Sequence, residues 1–271
     1  MGLAVGAAGA ALTRAPLRAR SETSDAQTPI RLGVASYSLR KLPRADAISA
    51  IQALRSPWVN IKSFHLPYES SPAELATGRR EFENAGLTIV GGGTITLDQD
   101  NDADMRRYFE YAKAAGFPLM VIAPTPQTLP RIERFVADYD IKVAIHNHGP
   151  EDEHFPEPAR ALKLIGNMDP RVGLCVDCGH TARTGVDVVE AIAEAGDRLL
   201  DMHMKDLRDL ATRESQCIVG EGQMPITGIF KQLSEMGYAG YVNLEYEIDA
   251  DDPLPGMQRS FAYMRGVLDG I

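Results

Sequence analysis

The sequence predicts an α/β fold, a single-domain (β/α)8 TIM barrel. Three observations carry that expectation. Eight short β-rich runs alternate with eight segments of helical spacing between Ile30 and the C-terminus, a stretch of the size such a barrel needs. The β-rich runs are nearly continuous apolar stretches with no hairpin signal between them, as expected of parallel strands covered by helices. The turn after the first run, within "GVASYSLRKLP", carries no G-x-G-x-x-G, so the doubly wound alternative lacks its usual phosphate-binding turn.

Taken in order, residues 1–29 stand apart from the rest. Gly2 to Leu12 is a run of small and apolar residues, too short to span a bilayer but similar to the h-region of an export signal. Ser24-Asp25-Ala26 offers a small-residue cleavage site, while a charged n-region is missing. The expectation is an exported protein, periplasmic or secreted, with an incomplete signal. The other reading is a disordered Ala-rich tail on a cytoplasmic protein. The barrel domain is expected over 30–271.

The first strand is expected at 30–38 and the first helix at 44–55. A second strand, 58–66, precedes a helix over 71–86 that opens with Ser71 as N-cap and Pro72 in its first turn, the usual helix-start chemistry. Gly86 closes it. The third strand, 87–95, contains the one glycine cluster, Gly91 to Gly93, which lacks the Lys-Ser/Thr of a phosphate-binding loop and reads as a tight strand exit. A helix over 102–116 ends at Gly116. Strand 118–124 and helix 128–140 follow, then strand 141–148 and helix 157–167. Strand 172–179 leads to helix 187–197, and strand 199–206 to helix 226–237, stopped by Gly237. Strand 241–247 and helix 256–268 complete the chain. Glycine just past a helix is the expected stop signal.

Composition narrows the function classes. The 271 residues are 44% hydrophobic and carry a net charge of −9, without a basic cluster dense enough for a nucleic-acid surface. No stretch is long and apolar enough to predict a membrane span. The three cysteines, Cys175, Cys178 and Cys217, are too few and too irregular for a disulfide framework. Cys175-x-x-Cys178 has no second pair to complete a zinc site and reads as small buried apolar residues.

Chemistry in a TIM barrel belongs to the C-terminal ends of the strands. Here the second strand ends with Lys62 and His65, the fifth with His146 and His148, the sixth with Asp177 and His180. The seventh ends with His203, Lys205 and Asp206, and the last with Glu245 and Glu247. Five of the six histidines belong to this set. Several ionisable groups around one barrel mouth are costly to bury unless they share a partner, and a divalent cation is the simplest. Alternation along strands gives a ligand set of His146, Asp177, His203 and Glu245. Mixed imidazole and carboxylate ligands suit Mn²⁺, Co²⁺, Zn²⁺ or Fe²⁺ better than Ca²⁺.

At this point a resemblance emerges. "DPRVGLCVDCGHTARTGVDVVEAI", "GDRLLDMHMKDL" and "VGEGQMPITGIFKQL…GYAGYVNLEYE" resemble the xylose isomerase-like TIM barrels, the sugar phosphate isomerase/epimerase-like proteins. The resemblance covers most of the chain from Ile30 and is looser before residue 140. It implies a divalent metal held by a Glu, an Asp, a His and a second Glu, of which Asp177, His203 and Glu245 match. It also implies substrate contacts by His180 and Lys205, and a Gly-x-Gly turn in which Glu221 faces the pocket. The departure is at His146-Asn147-His148, where many relatives read Glu-Asn-His. This exchange removes one of two carboxylate bases and puts the symmetric two-glutamate epimerisation scheme in question.

The reaction expected is proton abstraction alpha to a carbonyl, with the metal stabilising an enediolate. Glu245 is the first candidate base and His148 the second, with Lys62 and His65 binding or protonating substrate oxygens. The outcome is sugar isomerisation or epimerisation, or alternatively elimination by a keto-sugar or keto-glycoside lyase or dehydratase. Without a phosphate-binding loop, an unphosphorylated small-molecule carbohydrate is the expected partner. A nuclease with several zinc ions would need more ligands and a basic groove. A homo-oligomer is compatible with the resemblance, and no apolar stripe in the sequence demands one.

Overall fold

The computed structural model describes Met1, Gly2 and residues 30–271. The export expectation for the first 29 residues therefore lies almost wholly outside the described residues. Among the described residues no helix is long and apolar enough to cross a membrane.

Eight parallel strands close into a barrel. They are β1 (Arg31–Ala35), β2 (Trp58–Ile61), β3 (Thr88–Leu97), β4 (Leu119–Pro124), β5 (Lys142–His146), β6 (Val172–Asp177), β7 (Leu199–Met204) and β10 (Tyr241–Leu244). Neighbours follow the order β1-β10-β7-β6-β5-β4-β3-β2. Two short strands, β8 (Asp206–Leu207) and β9 (Gln216–Cys217), form a separate antiparallel pair above the rim. The helices are α1 (Arg44–Ala53), α2 (Pro72–Asn84), α3 (Asp102–Ala115), α4 (Leu129–Tyr139), α5 (Pro158–Ile165), α6 (Cys178–Arg183), α7 (Val188–Ala195), α8 (Ile226–Glu235) and α9 (Leu254–Leu268).

Local signals explain several boundaries. Ser71 forms a capping box with Glu74: its hydroxyl accepts from the Glu74 N–H, and the Glu74 carboxylate accepts from the Ser71 N–H at 2.8 Å. Gly116 ends α3 in the left-handed conformation at φ 75°. The glycine cluster departs from the expectation. Gly91 to Gly93 do not end β3 but lie within it. A Cβ on Gly92 would stand 1.9 Å from the Phe117 ring, so close packing, not a turn, requires glycine there. Six of the eight expected strands also run two to five residues too far at the rim, because residues such as His148 and Glu247 leave the ladder while still facing the mouth.

The helices bury their apolar stripes on the outside of the barrel, with Phe82, Phe109, Phe135, Phe230 and Phe261 fully covered. The barrel interior is partly polar. Asp201 on β7 receives hydrogen bonds from the Asn60 amide on β2 at 3.0 Å and the Asn243 amide on β10 at 2.7 Å. Burial pushes this carboxyl up to about 6. Gly33 makes room for the network, since a Cβ there would lie 2.2 Å from Asn243 Oδ1. One step further along the same strands stand His203 and Glu245, which places this layer directly beneath the rim.

Candidate active site

The ends of β5, β6, β7 and β10 converge on one point. Asp177 and His203 are direct register partners on β6 and β7, and Glu245 follows β10 with its N–H bonded to the Met204 carbonyl at 3.1 Å. One donor atom from each of His146, Asp177, His203 and Glu245 lies within 4.8 Å of every other. His146 Nε2 is 2.8 Å from His203 Nδ1 and 3.6 Å from Asp177 Oδ2, and His203 Nδ1 is 3.1 Å from Glu245 Oε2. All four side chains are buried.

This donor set fits a divalent cation. Two imidazole nitrogens and two carboxylate oxygens turn their lone pairs towards one buried point, as the ligands of a cation do. No hydrogen-bond donor is aligned on Asp177 Oδ2, and His146 Nδ1 and His203 Nε2, the outward nitrogens, are buried without a partner. Of these, Asp177 Oδ2 would gain its partner from an ion held at the inner lone pairs. Imidazole and carboxylate together suit a borderline first-row metal.

Two ammonium groups border the same oxygens. Lys205 Nζ lies 3.0 Å from Asp177 Oδ2 and 3.1 Å from Glu245 Oε2, and it also pairs with Glu247. Lys62 Nζ is 3.2 Å from Glu245 Oε1 and 3.4 Å from the Thr94 hydroxyl. Burial alone would raise both carboxyls. For Asp177 it is outweighed by His180, Lys205 and His146, and for Glu245 by His203, Lys62 and Lys205, so both groups stay well below the usual carboxylate range. Burial likewise opposes the charge on Lys205, but its three carboxylates hold its pKa well above the ordinary value. Burial lowers His146 strongly and brings His180 down to about 4, which leaves both imidazoles neutral at pH 7.

Above this floor opens a cavity of about 570 Å³. Lys62, His148, His180, Lys205 and Glu247 face it. His148 follows β5, stands 4.4 Å ring to ring from His146, and pairs with Asp152 at 3.3 Å. Two expected substrate contacts are placed elsewhere. His65 is buried beside the barrel, with Nδ1 3.0 Å from the Ser36 hydroxyl and Nε2 3.2 Å from the Leu42 carbonyl, so both nitrogens tie loops together. Glu221 does not line the cavity. It pairs with Arg208 at 3.2 Å and with Arg259, because the loop bearing it turns outward.

That loop is fixed by Asp206. Its carboxylate accepts from the N–H groups of Gly220 at 2.8 Å, Gly222 at 3.0 Å and Met224 at 3.0 Å. Gln216 performs a similar service for the rim, donating to the Glu245 carbonyl at 2.6 Å and accepting from the Glu247 N–H at 2.8 Å. Asn147 ties β5 to β6. Its oxygen accepts from the Asp177 N–H at 3.0 Å and its amide donates to the Thr181 hydroxyl at 3.1 Å. Asp177 also caps α6 by accepting from the His180 N–H at 2.8 Å. Arg183, on α6, pairs with Glu151 at the cavity wall. Gln216, Asn147 and Arg183 escaped the sequence reading because their partners are 29 or more residues away; only the position of Asn147 between two candidate histidines marked it.

Comparisons with known proteins agree with the architecture. A family model described as xylose isomerase-like TIM barrel matches residues 49–267. An inosose dehydratase of Lactiplantibacillus plantarum is 27% identical over 202 residues, 67% of this chain and 64% of that protein, so the chain covers just under two thirds of that relative. A solved D-psicose 3-epimerase, determined in the presence of D-fructose, superposes with a TM-score of 0.71 at 18% identity, over 88% of this chain and 99% of that one. The IOLI protein with a bound zinc atom superposes with a TM-score of 0.73 at 16% identity, over 87% and 98%. At these identities the two structures share the fold.

Proposed function

The chain belongs to the xylose isomerase-like TIM barrel family, and on that premise we propose that it is a divalent-metal-dependent sugar isomerase or epimerase. The observation that carries the proposal is the convergence of His146, Asp177, His203 and Glu245 on one buried point at the floor of an open cavity. His146, Asp177, His203 and Glu245 would hold a divalent cation there, and it would supply positive charge beside the substrate oxygens where negative charge develops. Zinc in the IOLI protein supports this choice of cofactor class, and the donor set is equally suited to Mn²⁺, Co²⁺ or Fe²⁺.

Glu245, held ionised by its cationic neighbours, takes the proton from the carbon beside the substrate carbonyl. Lys205, kept protonated by three carboxylates, donates hydrogen bonds to substrate oxygens. Lys62 stabilises the carboxylate of Glu245 before the transfer and a substrate oxygen after it. His180, neutral at pH 7, contacts a hydroxyl from the α6 side. His148, backed by Asp152 and three strands round the barrel from Glu245, returns a proton. Delivery to the opposite face gives epimerisation, and delivery to the neighbouring carbon gives isomerisation.

A second reading is elimination from a keto-sugar. It is favoured by the position of both ammonium groups against Glu245, at 3.2 Å and 3.1 Å. Base and acid then stand on one side of the substrate, and the acid protonates a departing hydroxyl. The inosose dehydratase likeness points the same way. Incubation of the metal-loaded protein with free sugars and keto-sugars in D₂O separates the readings. Deuterium in recovered sugar supports the first, and an unsaturated product supports the second. No exchange and no product with any of these would refute both.

A further inference from the structure

The rim of the barrel is divided chemically into two halves. The metal-ligand set and most of the charges lie over β5, β6, β7 and β10, four consecutive staves. The wall over β4, β3, β2 and β1 consists of Tyr37, Ser63, Phe64, Thr94, Thr96 and Ala123, all uncharged. Lys62 starts on this side, but its ammonium reaches across to Glu245. Phe64 is the conspicuous member. It is 53% exposed although it lines a cavity, with its ring 5.8 Å from Tyr37 at 57°. Tyr37 is braced from behind by the Arg40 guanidinium 4.7 Å from its ring centroid. Arg40 in turn donates to the Glu247 carbonyl at 2.6 Å.

A supported aromatic face with hydroxyls beside it binds the flat apolar face of a ring and hydrogen-bonds its edge. It offers nothing to an anion. A free monosaccharide held by its oxygens at the charged half leaves this wall uncovered in a cavity of about 570 Å³, a volume in the range for ligands larger than one ring. Building on the reading of the site as one that enolises a sugar, we propose that the substrate is a keto-glycoside, a glycoside whose reacting sugar already carries the ring ketone that enolises. Its reacting sugar sits at the charged half, and the ring attached to it stacks on Phe64.

The ring could be an aryl aglycone or a second sugar, since both present a flat C–H or π face. The test measures binding and not turnover, so it stands apart from the D₂O experiment. Affinities of the Mn²⁺-loaded wild type, Phe64→Ala and Phe64→Trp are measured by calorimetry or saturation-transfer NMR for glucose, phenyl β-glucoside and cellobiose. The wild type should favour phenyl glucoside, cellobiose or both over glucose by about three- to ten-fold, the range an aromatic contact provides. Phe64→Ala should abolish that preference without altering glucose affinity, and Phe64→Trp should keep it. A preference for phenyl glucoside alone identifies an aryl aglycone, and one for cellobiose alone a second sugar. Absence of any preference in the wild type, a preference that survives Phe64→Ala, or no binding of any probe overturns the proposal. Because Phe64 is half exposed, its replacement does not threaten the fold, and coincident thermal transitions of the three proteins verify this.

Discussion

Replacing Asn147 by alanine tests whether the cation site depends on the hydrogen bonds behind it. Asn147 is buried and touches no substrate-facing atom in the ligand set, yet it holds the main chain of Asp177 and the hydroxyl of Thr181. The substitution removes two well-formed buried hydrogen bonds, at 3.0 and 3.1 Å, each contributing about 1 kcal/mol net. It also leaves the Asp177 N–H without an acceptor, a further cost of about 1 kcal/mol at the low end. The sum is about 3 kcal/mol, which in a domain of this size lowers Tm by about 6 to 12 °C. On the proposed assignment of Asp177 as a metal ligand, the residue whose N–H is released is itself a ligand, so Mn²⁺ or Zn²⁺ affinity should fall about 10- to 100-fold, as it does when outer partners of ligands are lost. Thermal unfolding of the metal-free protein and calorimetric titration with Mn²⁺ measure the two effects separately. A stability loss of the expected size with unchanged metal affinity would refute the claim that Asn147 positions the ligand. An unchanged Tm would refute the hydrogen-bond accounting itself.

Three further outcomes are expected. Asp177→Ala and His203→Ala should each lose bound metal and turnover together, as read by metal analysis beside the D₂O assay; an active, metal-free variant would contradict the ligand assignment. Lys62→Met keeps the stem but removes the ammonium 3.2 Å from Glu245, so metal content should be retained while kcat falls about 100-fold or more; an unchanged kcat would remove Lys62 from the mechanism. At acid pH, hydrogen bonds from Arg171 hold Asp169 down to about 2, below its value in the unfolded chain. Its contribution is therefore complete above about pH 4 and lost as pH falls towards 2. Solvent screening limits it to under about 1 kcal/mol, so Asp169→Asn should differ from wild type in urea denaturation at pH 6 and converge with it near pH 2. A constant difference across that range would count against the assignment.

Much of the barrel was legible in the sequence because each strand is a short apolar run and each helix has its own punctuation. Ser71 and Gly116 act through neighbours within four residues, so their roles could be read locally. The convergence of His146, Asp177, His203 and Glu245 was legible for a related reason: strand ends in a barrel share one rim, which lets similar endings be compared without knowing their distances. What failed depended on contacts remote in the chain. Gly92 answers to Phe117 rather than to its own turn, and His65 answers to Ser36 and Leu42. The six-residue helix α6 follows directly from β6 and was hidden because it is too short to show a helical period. The split between a charged and an aromatic half of the rim was equally invisible, since it is a property of strand order around the ring.

Asp206 collects three amides from a segment 14 to 18 residues downstream, and a Cβ on Gly222 would collide with its Oδ1 at 2.2 Å. The doorway on this side is thus set when the chain folds and needs no guest to shape it. Amide protons of Gly220, Gly222 and Met224 should resist exchange whether or not sugar is present, and the pace of catalysis should not be governed by the swing of this segment. Mutational drift in the outward-facing part of the loop can then proceed without disturbing the doorway.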